Sequence, residues 1–380
     1  MSDLYDVAIL GAGPAGATAA LALRDSGLRV ALVDKSAFPR DKVCGDAIPA
    51  RCEKVLRTLD PRFAEQLRAF PEKVEIAECR VVAPNLRHFD YAFHIRGYCA
   101  TRMAFDHFLL DLALQEAQPD FFPGFKATSL HREGSEWRLE SRDQNLVARL
   151  VIGCDGANGI TARQLTALKK IPKHHCAAVR GYYTGIGGLV EDRMEIHFLD
   201  DYLPGYFWVF PVGNGIANVG FGMLSDRVAA RKANLRALLP EMVAAASGLK
   251  GRFAGAKLQG PVTGFGLPMG SRRVPMSGDG FLLCGDAASL IEPATGEGIG
   301  NAMLSARIAA ETALSAFESG NLGAAALRSH DREVYRKLWK DLQNKYRAQR
   351  IIGERKWLMN WLVARANGRG PIRWLMQKVF

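Results

Sequence analysis

The most constraining feature of this chain is a glycine triplet held between two apolar runs. Asp6-Val-Ala-Ile-Leu10 is short and apolar, as suits a central parallel strand. Gly11-Ala-Gly-Pro-Ala-Gly16 follows at once. Ala17 to Arg24 reads as a helix with Gly27 as its C-terminal stop, and Arg29-Val-Ala-Leu-Val-Asp34 reads as a second strand ending in an acid. Each glycine has a physical task. Gly11 permits the tight turn, Gly13 lets a pyrophosphate approach the backbone, and Gly16 lets helix and strand pack closely. The helix start, with Ala15 in it, offers unpaired N–H groups and a positive dipole end to phosphates. Asp34, 18 residues past Gly16 and followed by Lys35, is placed to accept hydrogen bonds from a ribose diol. The unit predicts an α/β chain with a GxGxxG Rossmann-type domain, and leaves open which dinucleotide it holds.

Composition narrows the class. A chain of 380 residues, 48% hydrophobic and 23% charged, reads as an ordinary globular protein of about two domains. Seven cysteines stand scattered, with no CxxC pair. That pattern argues against a disulfide framework or a metal site and for a reducing, cytoplasmic setting. Ser2, Asp3 and Asp6 give the start no basic character, so no secretory signal is expected. The apolar stretch from Val7 to Leu23 is broken by three glycines and a proline, and is better explained by a buried strand and helix than by a membrane span. The net charge of +11 is concentrated at one end. Residues 321–380 hold 14 Lys or Arg against 4 Asp or Glu, while the rest is near neutral. This weakens any nucleic-acid reading of the whole and points the tail alone toward an anionic partner.

Two later segments separate the dinucleotides. Leu150-Val-Ile-Gly-Cys-Asp-Gly-Ala-Asn158 stands mid-chain. Gly280-Phe-Leu-Leu-Cys-Gly-Asp-Ala-Ala288 stands late, followed by Pro293 and Gly296-Glu-Gly-Ile-Gly300. The second reads as a strand ending in Gly-Asp, a glycine-rich loop and a long helix from about Asn301. A strand-end acid can hold a chain of hydroxyls, and a glycine-rich helix start can bring N–H groups against an electron-accepting ring. These are the needs of FAD. The ordered set of GxGxxG, DG and GD motifs resembles the FAD-dependent oxidoreductases built like p-hydroxybenzoate hydroxylase, over nearly the whole chain. The resemblance implies that Asp286 binds the ribityl chain, that Gly298 and Ile299, with Pro293 and Gly296 in the same loop, face the flavin, and that Asp155 and Gly156 lie on the adenosine side. Arg102, opening Arg-Met-Ala-Phe-Asp106, resembles the family's arginine near the phosphates or ribityl.

Two segments indicate a branch. Phe38-Pro-Arg-Asp-Lys-Val-Cys-Gly-Asp46 and Gly205-Tyr-Phe-Trp-Val-Phe-Pro211 resemble the PxxxxCG loop and YxWxFP motif of the geranylgeranyl reductases. Flavin-dependent halogenases carry WxWxIP instead. The resemblance places Cys44 and Gly45 near flavin and substrate. It implies reduction of carbon–carbon double bonds in a prenyl or lipid-like substrate, with Cys44 and Tyr206 as catalytic candidates at the flavin face. Read on their own, Tyr206, Trp208 and Phe210 alternate and so share one strand face, either a substrate wall or plain sheet core. Cys44 is either a small buried hydrophobe or a thiol whose pKa is lowered by Lys42 and Arg40. An FAD-dependent aromatic monooxygenase, or a flavin-bound membrane-associated module without turnover, fits the same fold motifs. No second GxGxxG follows a strand, so NAD(P)H is expected to dock transiently if it is the electron donor.

The chain divides on this reading into an FAD domain (1–70, 99–170 and 276–330), a substrate domain (71–98 and 171–275) and a helical tail (331–380). Val74 to Val82 and Met194 to Leu199 read as strands, and Ser225 or Asp226 as the cap of a helix running towards Ser247. The tail holds Trp339, Trp357, Trp361 and Trp374 among its basic residues. That mixture suits an interfacial helix on an anionic membrane, which would make the protein peripheral to the inner face, or else a helical cap on the body.

Overall fold

The computed structural model describes residues 4–368 and 370–379. Two eight-stranded sheets organise the chain. The first runs in the order Ser277–Gly278, Phe281–Leu283, Asn145–Gly153, Leu4–Leu10, Val30–Asp34 and Asp120–Pro123, with the hairpin Ser129–Glu133 and Glu136–Glu140 attached to Asn145–Gly153. Its central strands are parallel and apolar because both faces are covered by helices. Register puts Leu283, Gly153, Leu10 and Val33 side by side. The four strands therefore end on one line, and beyond it lie Cys284 to Asp286, Cys154 to Gly156, Gly11 and Asp34. Ligands of such sheets bind beyond the carboxyl ends of the strands.

Helix Pro14–Ala22 is buried along almost its whole length and packs against the 20-residue helix Ile299–Glu318. Alanines at 17 and 20 on one side, and at 302, 306, 309, 310 and 313 on the other, let the two approach closely. On the sheet's other face, Val334, Leu338 and Leu342 of helix Ala324–Ile352 complete a second core, their spacing of four forming one helical stripe.

The second sheet is ordered Lys257–Pro268, His175–Thr184, Ile216–Leu224, Tyr206–Gly213, Arg193–His197, Val74–Val82, His88–Cys99 and Ala47–Ile48. Alternation in Tyr206–Gly213 sends Phe207 and Val209 to the face covered by helix Leu235–Ala245. Trp208 and Phe210 go to the opposite face, with helix Lys356–Ala366 beside them. Ala47–Ile48 pairs with this sheet although the chain before it, Val30–Asp34, belongs to the first. The architecture is thus an α/β FAD-type domain, a second α+β layer and a helical C-terminal region.

One expected helix is two. Ser225–Ala230 ends before Lys232, whose φ is +51, and a separate helix Leu235–Ala245 begins. Asn234 is the cap that defines the break, accepting from the N–H groups of Arg236 and Ala237. Ser225 turns its hydroxyl to His175 Nδ1 at 2.9 Å, and Pro240 sits inside the second helix without ending it.

Candidate active site

A cavity of about 940 Å³ lies between the two sheets. Gly11, Gly13, Ala15, Asp34 and Lys35 line one end, and Tyr206, Trp208 and Phe210 line another part. Cys44, Gly45, Arg102, Asp155, Gly156, Asp286, Pro293, Gly296, Gly298 and Ile299 line the same cavity. Of the cofactor, catalytic and substrate residues expected from sequence, Gly16 alone does not line it. Gly16 works one layer back, where an added Cβ would stand 1.7 Å from the Gly11 carbonyl oxygen. Only a glycine lets the helix sit that close to the preceding turn.

At the strand ends the backbone leaves room for a ligand. Gly11 has φ +100, and a Cβ there would be 2.5 Å from the Cys154 carbonyl oxygen. Asp34 is buried, and its carboxylate accepts from the N–H groups of Ala12 and Ser36, both at 2.9 Å. Arg102 and Asp106 are also buried and form a two-bond pair at 2.6 and 2.7 Å, which Arg40 joins at 2.9 Å. Arg102 therefore faces the cavity beside Gly13 with its charge balanced by its own helix. Asp155 accepts from the N–H and hydroxyl of Thr161, which fixes the turn after Gly153. Burial pushes its carboxyl up.

Across the cavity, Asp286 Oδ2 lies 3.2 Å from Lys42 Nζ. The loop that follows is tied from two sides. Glu292 accepts from the N–H groups of Ala294 and Thr295 at 2.8 and 2.9 Å, and the Tyr206 hydroxyl donates to the Thr295 carbonyl. The long helix then starts at Ile299, with Glu297 accepting from the Gly300 N–H at 2.7 Å. Glycine turns without Cβ atoms, a buried carboxylate at one strand end, a second acid facing the cavity and an open helix start together fit FAD.

The aromatic row is continuous, with ring centroids 5.8 Å apart from Tyr206 to Trp208 and 6.2 Å from Trp208 to Phe210. The indole lies directly on Gly220 of the neighbouring strand, where a Cβ would meet it at 2.2 Å. Gly45 packs against the same rings, its Cβ position 3.4 Å from Phe210. Tyr206 commits its only donor to the flavin-side loop, so its phenol positions backbone.

Cys44 departs from one sequence expectation. Burial pushes its thiol up, and the nearby Arg102 only partly opposes this. Lys42 contributes little because it faces Asp286, and Arg40 is turned to Asp106. Burial thus favours the neutral thiol at Cys44 over the thiolate that a pKa lowered by Lys42 and Arg40 would give.

Sequence reasoning missed what stands behind it. Asn218 bridges the Cys44 carbonyl at 2.8 Å and Asp46 Oδ2 at 2.7 Å, while its own oxygen accepts from the Trp208 N–H at 2.9 Å. Tyr182 donates to the same Asp46 oxygen at 2.6 Å. An asparagine in the otherwise apolar run Ile216–Leu224 was the available signal.

Residues 4–183 match the family model described as the FAD binding domain. The digeranylgeranylglycerophospholipid reductase of Methanosarcina mazei is 30% identical over 355 residues, 90% of this chain and 82% of that one. The menaquinone reductase of Mycobacterium tuberculosis is 30% identical over 322 residues, 82% of this chain and 77% of that one. Among solved structures, a geranylgeranyl bacteriochlorophyll reductase-like protein from Thermoplasma acidophilum superposes with a TM-score of 0.84 at 22% identity, covering 99% of this chain and 96% of that one. A halogenase in complex with FAD follows the same fold, with a TM-score of 0.76 at 18% identity over 96% of this chain and 79% of that one.

Proposed function

The chain belongs to the geranylgeranyl reductase family of FAD-dependent oxidoreductases, and from that premise we propose that it saturates carbon–carbon double bonds in the prenyl chain of a lipid. The observation that carries the proposal is the continuity of one cavity from the dinucleotide cradle, past Cys44, to a wall of apolar side chains that includes Ile76, Phe93, Ile196, Trp208 and Phe210. Relatives named for a digeranylgeranyl lipid and for menaquinone support a long prenyl substrate.

When bound, FAD supplies a site that accepts and gives a hydride. Gly11, Gly13 and the helix start would hold its pyrophosphate, Asp34 its ribose, Asp286 its ribityl chain, and the loop from Pro293 to Ile299 its ring. The chain's own residues orient and protect. Tyr206 fixes the ring-side loop through Thr295. Trp208 and Phe210 present flat apolar faces along which an alkene lies without a hydrogen-bonding competitor, and they exclude water from the reacting carbons. Cys44 holds a proton on Sγ at the cavity surface. Mutual orientation of this kind supplies a large part of catalysis in a reaction between two bound partners.

The test is anaerobic. The reduced holoprotein is mixed with a geranylgeranyl lipid, and flavin absorbance and product mass are followed. Reoxidation with two added hydrogens per double bond is the expected result. Reoxidation only on admitting air, with oxygen inserted into an aromatic, would replace the reductase by a monooxygenase.

The tail supports a membrane surface as the place where such a lipid is met. Among the described residues no helix is long and apolar enough to cross a membrane. Helix Lys356–Ala366 buries Met359, Leu362, Val363 and Ala366 and leaves Trp357 and Trp361 68% and 45% exposed. Trp339 instead packs between Tyr335 and Arg273. Exposed tryptophans on a strongly basic segment suit an anionic headgroup layer. Co-sedimentation with vesicles containing phosphatidylserine, lost in Trp357→Ser/Trp361→Ser and absent with phosphatidylcholine alone, is expected. Equal binding to both vesicles would discard this placement.

A further inference from the structure

Behind Cys44 the two layers converge on one carboxylate. Asp46 is 0% exposed and adopts φ +67, a conformation rare outside glycine. Both of its side-chain hydrogen bonds fall on Oδ2, from Tyr182 and Asn218. Oδ1 is buried and has no hydrogen-bond partner. An ionised carboxylate leaves such an oxygen at high cost, whereas the neutral acid places its proton there and keeps both acceptor bonds on the other.

Among the described residues no cation forms an ion pair with Asp46, although Arg180 and Arg102 lie close enough to favour its charge. Strand His175–Thr184 brings Arg180 and Tyr182, strand Ile216–Leu224 brings Asn218, helix Arg102–Glu116 brings Arg102, and Cys44 and Cys99 bring thiols. Arg180 bonds Asp41 at 2.7 Å, and Arg102 bonds Asp106. Coupling to the cavity runs through Cys44. Asn218 holds its carbonyl to Asp46, the Asp46 backbone N–H favours its thiolate, and the Asp46 charge opposes it.

We propose that Asp46 is the proton reservoir of the site, restoring the Cys44 thiol each time that thiol protonates the substrate. The proposal rests on the prenyl-reduction reading and deepens it. One alkene carbon takes a hydride from the reduced cofactor, and the other takes the proton from Cys44 Sγ as the S–H bond breaks. The thiolate left behind takes the proton of Asp46 Oδ1, and the resulting carboxylate takes one from solvent. Asp46 does not line the cavity. It acts as a positioning residue behind the cavity wall.

Two FAD-loaded variants and two readouts test this. Asp46→Asn is isosteric and cannot store the proton. Tyr182→Phe removes one bond that favours the carboxylate, so the acid form persists to higher pH. In multiple-turnover reduction of a geranylgeranyl lipid with dithionite supplied as reductant, where every cycle needs Cys44 reloaded, the wild-type rate is expected to fall as pH rises through about 6. Asp46→Asn loses that limb, and Tyr182→Phe moves it upward and reacts faster than wild type at pH 7. In the oxidised protein, alkylation of Cys44 by iodoacetamide, located by peptide mass, is expected to quicken at least about threefold at pH 8 in Asp46→Asn, because an opposing charge is gone. An unchanged pH limb in Asp46→Asn, a Tyr182→Phe limb that does not rise, or unaltered Cys44 alkylation overturns the reservoir alone. A wild-type protein that the lipid does not reoxidise at any pH overturns the prenyl reading, and the reservoir with it.

Discussion

Replacing Asp46 by Asn should change the protein's stability in a way that depends on pH. Burial raises the Asp46 carboxyl from its ordinary 3.8 to about 6, against the hydrogen bonds from Tyr182 and Asn218 that favour its charge. A folded-state pKa above the unfolded one means that the folded protein holds this proton more tightly. The group's contribution is therefore most favourable below 3.8 and is lost as pH rises through about 6. At 1.36 kcal/mol per unit the loss amounts to about 3 kcal/mol when ionisation is complete, about half of which develops between pH 5 and pH 8. Asn carries no charge at any pH, so the variant escapes this loss. Its amide N–H groups inherit the unpartnered position, which adds an offset of about 1–3 kcal/mol that does not vary with pH. The slope is thus the diagnostic quantity. Urea midpoints of both proteins, at saturating FAD and fixed ionic strength from pH 5 to 8, should show the variant gaining on the order of 1 kcal/mol on wild type across that range. A difference flat to within about 0.3 kcal/mol would refute the reasoning, because Asp46 would then carry the same charge folded and unfolded.

Glu195 should behave in the opposite sense. Burial pushes its carboxyl up, but hydrogen bonds from His197 and Arg252 outweigh this and hold it at about 2. Its stabilisation is present above about 4.5 and lost as pH falls through about 2, so Glu195→Gln should cost about 3 kcal/mol at pH 7 and about 1 kcal/mol at pH 2.5, read from urea midpoints. Gly16→Ala puts a methyl 1.7 Å from the Gly11 carbonyl oxygen, and the purified protein should carry less than half the wild-type flavin by its ratio of 450 to 280 nm absorbance. Tyr206→Phe frees the Thr295 carbonyl, so flavin should stay bound while stability falls by about 1 kcal/mol and lipid-driven reoxidation slows. Trp208→Phe strips Asn218 Oδ1 of its donor, with an expected loss of about 1–3 kcal/mol in thermal or urea unfolding, plus faster Cys44 alkylation as the loop loosens.

The cofactor end was legible in the sequence because its requirements are local. A turn that must reach φ +100 at Gly11, and a helix that must touch the preceding carbonyl at Gly16, leave glycine at fixed spacing. The alternation of Tyr206, Trp208 and Phe210 was equally local. What sequence could not show depends on partners far apart in the chain. Lys42 meets Asp286 across 244 residues and Asn218 meets Asp46 across 172, so neither pair leaves a periodic trace. The same distance explains why Cys44 follows the buried-hydrophobe alternative and not the lowered-pKa one. Arg40 and Lys42 flank Cys44 in sequence, but acids brought in from elsewhere claim their charges, and burial then sets the titration.

The segment between Asp34 and Ala47 starts in one sheet and ends in the other. Arg180 and Lys42 fasten it to both sides through Asp41 and Asp286, and Tyr206 adds a separate tie from the second sheet to the ring-side loop. Any jaw-like parting of the layers would have to break the Tyr206–Thr295 tie and at least one of the two ties that hold the Cys44 segment, Arg180–Asp41 or Lys42–Asp286. The cavity wall that carries Cys44 is therefore held from both layers at once, and its position is set by the distance between the sheets as much as by its own backbone.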